Sequence, residues 1–227
     1  MFEKLTPHSL RARIAQQIRD AILSGKLKEG ERLVERKLAD ALGASLTAVR
    51  EALIEVESEG FILKKANLGT YVTKMNLDDV EKVFQVRRVL ESFAVAEAAR
   101  NGTPAQVEQL EHLYLEMVDA TRAQDSRAFN QRDMSWHLLL WEMSGNEYLQ
   151  AALWRAVLPY FAFIAIRVGT VDRLSLLRDA HGHLPMLEAI KEKAPQHAQE
   201  AFAATIDGWL TITRAEFAQA PELQPQA

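Results

Sequence analysis

The stretch LADALGASLTAVREALIEVESEG, residues 38–60, decides the fold of the N-terminal part of this chain. Leu38, Ala41 and Leu42 form a helical apolar stripe that Gly43 ends, and Val49, Leu53 and Val56 form a second stripe beyond it. Ser45 or Thr47 is placed to cap the second helix by accepting from its free N–H groups. Helix, glycine-containing turn, helix is the layout of a helix-turn-helix unit, whose second helix meets base edges with its first turn. Ser45, Thr47 and Arg50 occupy that turn: two short donors and one long cationic fork. The same pattern also fits an αα-hairpin with polar residues facing water.

The next segment separates the two readings. FILKKANLGTYVTK, residues 61–74, has two short strand-like runs around an Asn-Leu-Gly turn, with Gly69 supplying a permissive backbone. Lys64, Lys65 and Lys74 make that hairpin basic. A helix-turn-helix followed by a basic hairpin is a winged helix. Upstream, Leu10, Ile14, Ile18, Ala21 and Ile22 predict a first helix ending near Gly25, and LKEGERL reads as a turn.

Charge is divided unevenly. The 227 residues carry a net charge of −4, yet residues 1–74 hold 13 Lys and Arg against 10 Asp and Glu, while residues 75–227 hold 14 against 21. The positive excess falls where phosphate must be neutralised. The absence of cysteine excludes disulfides, a thiolate nucleophile and a zinc finger. The charged start MFEKLTPHSLRARIAQ is not a secretory signal, and the apolar stretch near Leu158–Ile166, interrupted by Pro159, is expected to be too short to span a membrane. These features predict a cytoplasmic protein.

Past Val72 the strand signal stops. Six helical segments are expected, near 77–101, 104–124, 126–144, 146–168, 172–194 and 196–218, with Pro185 bending the fifth or marking its true start. The expected organisation is a mostly α chain: a winged helix-turn-helix domain over 1–75, an all-α bundle over 76–220 and a disordered tail over 221–227.

Several ionisable residues sit on the bundle's apolar stripes. Asp133 and His137 are four apart, on one helix face with Met134, Leu140 and Trp141. Burying them requires a shared partner: a divalent metal, or simply each other through a hydrogen bond. His183 lies on a second stripe with Ala180, Leu187 and Ile190, and His181 points away from it. Arg87 interrupts the stripe Val80, Val83, Leu90 and Ala94. A buried guanidinium needs a planar anion, either Glu91 one turn on or a bound acid. No Ser/His/Asp or Cys/His set is evident, so no catalytic residue is assigned and no enzymatic activity is expected.

IRDAILSGKLKEGERLVERKLADALGASLTAVREALIEVESEGFILKKANLGTYV, residues 18–72, resembles the DNA-binding half of the GntR family of bacterial transcription regulators, a likeness that covers roughly residues 8–74. The resemblance implies DNA contacts by Arg36, Ser45, Thr47, Arg50 and Gly69, and the basic wing adds Lys65. Two positions depart from the family pattern: Leu46 stands where an arginine is usual, and Ala48 where a proline is usual. VRRVLESFAVAEAA, RDMSWHLLLWEMSGNEYL and HGHLPMLEAIKEK are similar to the ligand-sensing FCD domain of the FadR-like branch. That likeness implies metal ligation by Asp133, His137 and His183, with Trp209 where a fourth ligand would stand. It also implies effector contacts by Arg87, Asn146 and Trp209, although Asn146 equally fits a helix cap after Gly145.

The expected function is a homodimeric regulator, in the manner of a repressor, on a two-fold operator. A small carboxylate-bearing effector would be held by the bundle through zinc, or manganese or nickel. A metal-free sensor of an acyl or aromatic ligand is the alternative, and a metal-dependent enzyme a more distant one.

Overall fold

The computed structural model describes residues 10–167 and 179–219, and the expected tail over 221–227 lies outside them. By their contacts the residues form two units, one of residues 1–74 with 158–166, the other of residues 75–157 with 167–227.

The first unit contains α1 (Leu10–Leu23), β1 (Arg32–Leu33), α2 (Glu35–Leu42), α3 (Leu46–Ser58), β2 (Ile62–Lys65) and β3 (Gly69–Val72). Gly43 ends α2 in the left-handed conformation, at φ 60°, and its N–H returns to the carbonyls of Ala39 and Asp40. Two residues on, Ser45 is extended and caps α3, its Oγ accepting from the Ala48 N–H at 3.2 Å. Ile14, Ile18 and Ile22 from α1 meet Val49, Ala52 and Val56 from α3 and Ile62 from β2 in one core. Arg19 of α1 grips Glu59 with two hydrogen bonds of 2.7 Å, pinning the end of α3.

β2 and β3 form the wing, paired antiparallel from Ile62↔Val72 to Lys65↔Gly69. The segment read as a turn holds a short third strand: Arg32 and Leu33 pair with Tyr71 and Thr70, giving the order β1-β3-β2. Two residues carry too little periodicity to reveal a strand. Their pairing is set by β3, forty residues away. The unit is also larger than its sequence suggests, because Ala162 belongs to the same buried core. At Gly60 (φ 81°) a Cβ would stand 2.8 Å from the backbone of Pro159.

The second unit is helical among its described residues. Asn76 and Asp79 form a capping box for α4 (Leu77–Asn101), and Thr103 and Gln106 form one for α5 (Pro104–Arg122). Asp125 caps α6 (Ser126–Met143). The helix α7 (Glu147–Ile166) runs unbroken through Pro159 and leaves this unit after Val157. The apolar stretch near Leu158–Ile166 is the end of a longer helix, α7, which has 20 residues and is apolar enough to cross a membrane by length and composition alone. Such a helix is also what a packed core requires, and Leu149, Leu153 and Val157 are buried. Pro185 falls in the first turn of α8 (Leu184–Lys191) and so marks its start, and α9 (Pro195–Gln219) completes the unit. Of the expected fifth helix, residues 172–178 lie outside the described part.

Candidate metal and effector site, and the nucleic-acid face

Within the second unit, α4, α6, the start of α8 and α9 each contribute to one buried polar cluster. Asp133, His137 and His183 each turn one ligand atom inward, and these atoms lie within 4.8 Å of one another. Asp133 Oδ1 is 3.0 Å from His183 Nε2 and 3.8 Å from His137 Nε2. Both imidazoles are buried, while Asp133 retains some exposure.

Acceptors behind the rings orient both histidines. His183 Nδ1 is 2.8 Å from the carbonyl oxygen of Asp179. His137 Nδ1 is 2.7 Å from Glu91 Oε1, off the line of an ideal hydrogen bond, so distance and charge define that contact. Each ring thereby directs its Nε2 toward Asp133, the arrangement that second-sphere partners impose on metal-binding histidines. His183 Nε2 is buried without an aligned hydrogen bond despite its nearness to Asp133.

Glu91 is the hub behind the site. Fully buried, it accepts from Arg87 Nε at 2.5 Å and from Trp141 Nε1 at 2.9 Å, and touches His137. Burial pushes its carboxyl up, but the charge and hydrogen bond of Arg87 and the charge and close contact of His137 outweigh burial and hold it at about 2. Burial likewise raises Asp133, and the close approach and charge of His183, with the charges of His137 and Arg87, bring it below the usual carboxylate range. For His137 burial wins: its pKa falls below 6.5 against the opposing pull of Glu91. A neutral imidazole and an ionised carboxylate are the protonation states that ligate a cation. The donor set therefore fits a divalent metal held by Asp133, His137 and His183.

The anion required by Arg87 is thus Glu91, the nearer of the two partners its burial called for. The guanidinium also lies 3.4 Å from His137 Nε2 and over the Phe84 and Trp209 rings, at 5.2 and 5.6 Å from their centroids. Trp209 itself packs 4.9 Å from the His183 ring and 5.8 Å from the His137 ring. Asn146 is not brought to the cluster. It is exposed and caps α7, its Oδ1 accepting from the N–H groups of Tyr148 and Leu149 at 3.1 Å. Sequence reading missed Trp136, whose ring meets His183 edge-on at 4.7 Å, and missed the links from Glu91 to His137 and Trp141. Glu91 and Trp141 each stand one helical turn after a residue that was singled out, and that spacing was the available signal.

In the first unit, Arg36, Ser45, Thr47, Arg50 and Lys65 are all exposed. The Oγ of Ser45 is engaged as the α3 cap, and Arg50 Nε donates to Glu35 Oε2 at 2.7 Å. Leu46 packs partly against the core. Lys65 lies over the Tyr71 ring at 5.2 Å, and at Gly69 (φ 116°) a Cβ would stand 3.2 Å from Arg32 Nε. Arg32 is a wing cation that came into view only with β1.

A three-helix core, a paired wing and a second helix whose exposed start carries Ser45, Thr47 and Arg50 define a winged-helix DNA-binding protein, here carrying an all-α bundle with a buried acid–histidine cluster. Residues 10–72 match the gntR family of bacterial regulatory proteins, and residues 82–208 match the FCD domain. The chain belongs to the GntR family of transcriptional regulators and carries an FCD domain. It is 28% identical over 203 residues to the HTH-type transcriptional regulator YdhC of Bacillus subtilis, covering 87% of each chain. It is 26% identical to a probable D-xylose utilization operon transcriptional repressor of Paenarthrobacter nicotinovorans, over 89% of this chain and 90% of that one. The solved structure of Escherichia coli McbR/YncC superposes with a TM-score of 0.70 at 23% identity, over 92% and 99% of the two chains, a likeness of fold.

Proposed function

We propose that this regulator is a homodimeric, cytoplasmic repressor whose affinity for a two-fold operator is set by a small organic acid bound in its helical domain with a divalent metal. The domain assignment is part of the proposal: residues 1–75 read DNA, and residues 76–220 bind effector and dimerise. Arg50, Thr47 and Ser45 at the start of α3, with Arg36, meet the major groove, and Lys65 and Gly69 at the wing meet the backbone. Repression is supported by the similarity to the D-xylose operon repressor.

One observation carries the effector reading: two imidazoles, each backed by an acceptor at Nδ1, converge with a carboxylate on one buried point. The bound ion would supply positive charge and open coordination positions for acid oxygens. Asp133, His137 and His183 would hold it, and Arg87 would stand beside the acid. A metal-free sensor has its own support, because Trp209 presents an aromatic wall to the cluster and Arg87 already has a carboxylate in Glu91.

Mass spectrometry of protein purified without chelator, beside the three single-alanine variants, tests the metal. The expected result is one zinc, manganese or nickel ion per chain, lost in His137→Ala and His183→Ala. Protein that takes up none of these ions on incubation overturns the metal and leaves the metal-free sensor.

A further inference from the structure

Although α7 is apolar enough to span a membrane, fewer than half of the residues in its most apolar part are buried within the chain. Contiguous apolar surface left uncovered on a folded protein marks a contact. The uncovered surface lies in the first half of the helix. Leu149, Leu153 and Val157 are buried, whereas Glu147, Tyr148, Ala151, Ala152, Trp154 and Arg155 are exposed. Tyr148 is 81% exposed and Trp154 45%, an unusual display for two large aromatic side chains on one helix.

The stretch EYLQAALWR, residues 147–155, is symmetric about Ala151 in the character of its side chains. Glu147 and Arg155 stand four residues to either side, Tyr148 and Trp154 three, and Leu149 and Leu153 two. At about 100° per residue, Ala151 points directly away from the midpoint of Leu149 and Leu153, so it is the centre of the exposed face. The two charges fall about 40° to either side of that centre, and the two aromatic residues about 60°.

We propose that this face is the contact between two copies of the chain, their α7 helices packed antiparallel with Ala151 on the two-fold axis. The inference rests on the homodimer reading and says which surface makes the dimer. Rotation about that axis sets Tyr148 against the partner's Trp154 and Glu147 against the partner's Arg155, and each pair occurs twice. Alanine at the crossing lets the two backbones approach closely. Glu147 and Arg155 make no ion pair among the described residues, so both are free to pair across the axis. That complementarity selects the occupant. A lipid surface would cover the rings but leave both charges unpaired, whereas a second copy covers the rings and pairs the charges.

The chain contains no cysteine, so Ala151→Cys in the full-length protein introduces a single thiol per copy. On the axis that thiol meets its own counterpart, within the Cβ separation of about 3.5–4.5 Å at which a disulfide forms. Mild oxidation is expected to convert most of Ala151→Cys to a covalent dimer on non-reducing gels, and little of Gln199→Cys, an exposed control on α9. Charge reversal gives a second reading, by sedimentation over a dilution series. Glu147→Arg and Arg155→Glu each set like charges across the axis and are expected to weaken the dimer about tenfold or more. The double substitution Glu147→Arg/Arg155→Glu restores both pairs and is expected to return the affinity to within about threefold of wild type. Crosslinking of Ala151→Cys no greater than that of Gln199→Cys overturns the contact. So do single reversals that dimerise as tightly as wild type, or a double variant as weak as the singles. Flotation of the wild type with phosphatidylcholine–phosphatidylglycerol vesicles overturns it as well and assigns the face to lipid. If Ala151→Cys fails to fold, the charge reversals decide. Failure of the underlying reading has its own signature, a wild type that sediments as a monomer at micromolar concentration.

Discussion

Replacing Arg87 with methionine removes the cation from a fully buried carboxylate while retaining most of the side-chain volume. Glu91 is held at about 2 against an ordinary 4.5, chiefly because the charge of Arg87 overcomes the cost of burial. At 1.36 kcal/mol per unit, that difference corresponds to about 3 kcal/mol of stability, and breaking a buried ion pair from one side costs about 3–5 kcal/mol. The unfolded chain takes up this proton first as pH falls, so the stabilisation is complete above pH 4.5 and disappears as pH approaches 2. In Arg87→Met burial is opposed only by His137 and the Trp141 hydrogen bond, so the carboxyl rises and the gap between variant and wild type narrows as pH falls through 4.5. Urea unfolding followed by tryptophan fluorescence at pH 7 and at stepped acidic pH measures both quantities, with Trp141 hydrogen-bonded to Glu91 as a local reporter. The expected loss at pH 7 is about 3 kcal/mol or more. A loss under about 1 kcal/mol, as at an exposed pair, or a gap independent of pH would refute this account of Glu91. The consequence for function is that an Arg87 variant with no effector response must first be shown to be folded.

Arg50→Ala is expected to weaken binding to a duplex selected from a random pool by about 1–3 kcal/mol, and Lys65→Ala to weaken all duplexes alike; gel-shift titration decides, and an unchanged Arg50→Ala affinity removes α3 from the groove. Leu46→Arg should steepen the log–log salt dependence of DNA binding by up to about one unit, because Leu46 places no charge where a phosphate contact is available; equal slopes rule this out. Gly60→Ala should destabilise the winged-helix unit by more than about 1 kcal/mol in chemical denaturation, since it adds a positive-φ penalty to a Cβ 2.8 Å from the Pro159 backbone. A neutral outcome there would place the second half of α7 away from Gly60 in solution.

The sequence by itself determined what depends on neighbours a few residues apart. Gly43 and Ser45 end one helix and begin the next through their own backbone and side-chain hydrogen bonds, so the helix-turn-helix was legible in a short stretch. The wing was legible because its two strands are joined by a three-residue turn. The spacing of Asp133 and His137 on α6, and of Arg87 and Glu91 on α4, likewise fixed which side chains share a face. Tertiary structure alone decided which faces meet. It brought His183 to Asp133 from fifty residues away, chose Glu91 as the anion for Arg87, and set Trp136 and Trp209 around both imidazoles. It kept Asn146 at the tip of α7, made a strand of Arg32 and Leu33, and placed Ala162 in the winged-helix core. These are pairings between distant segments, set by complementary shape and by the need to satisfy buried polar groups. Neither leaves a periodic mark along the chain.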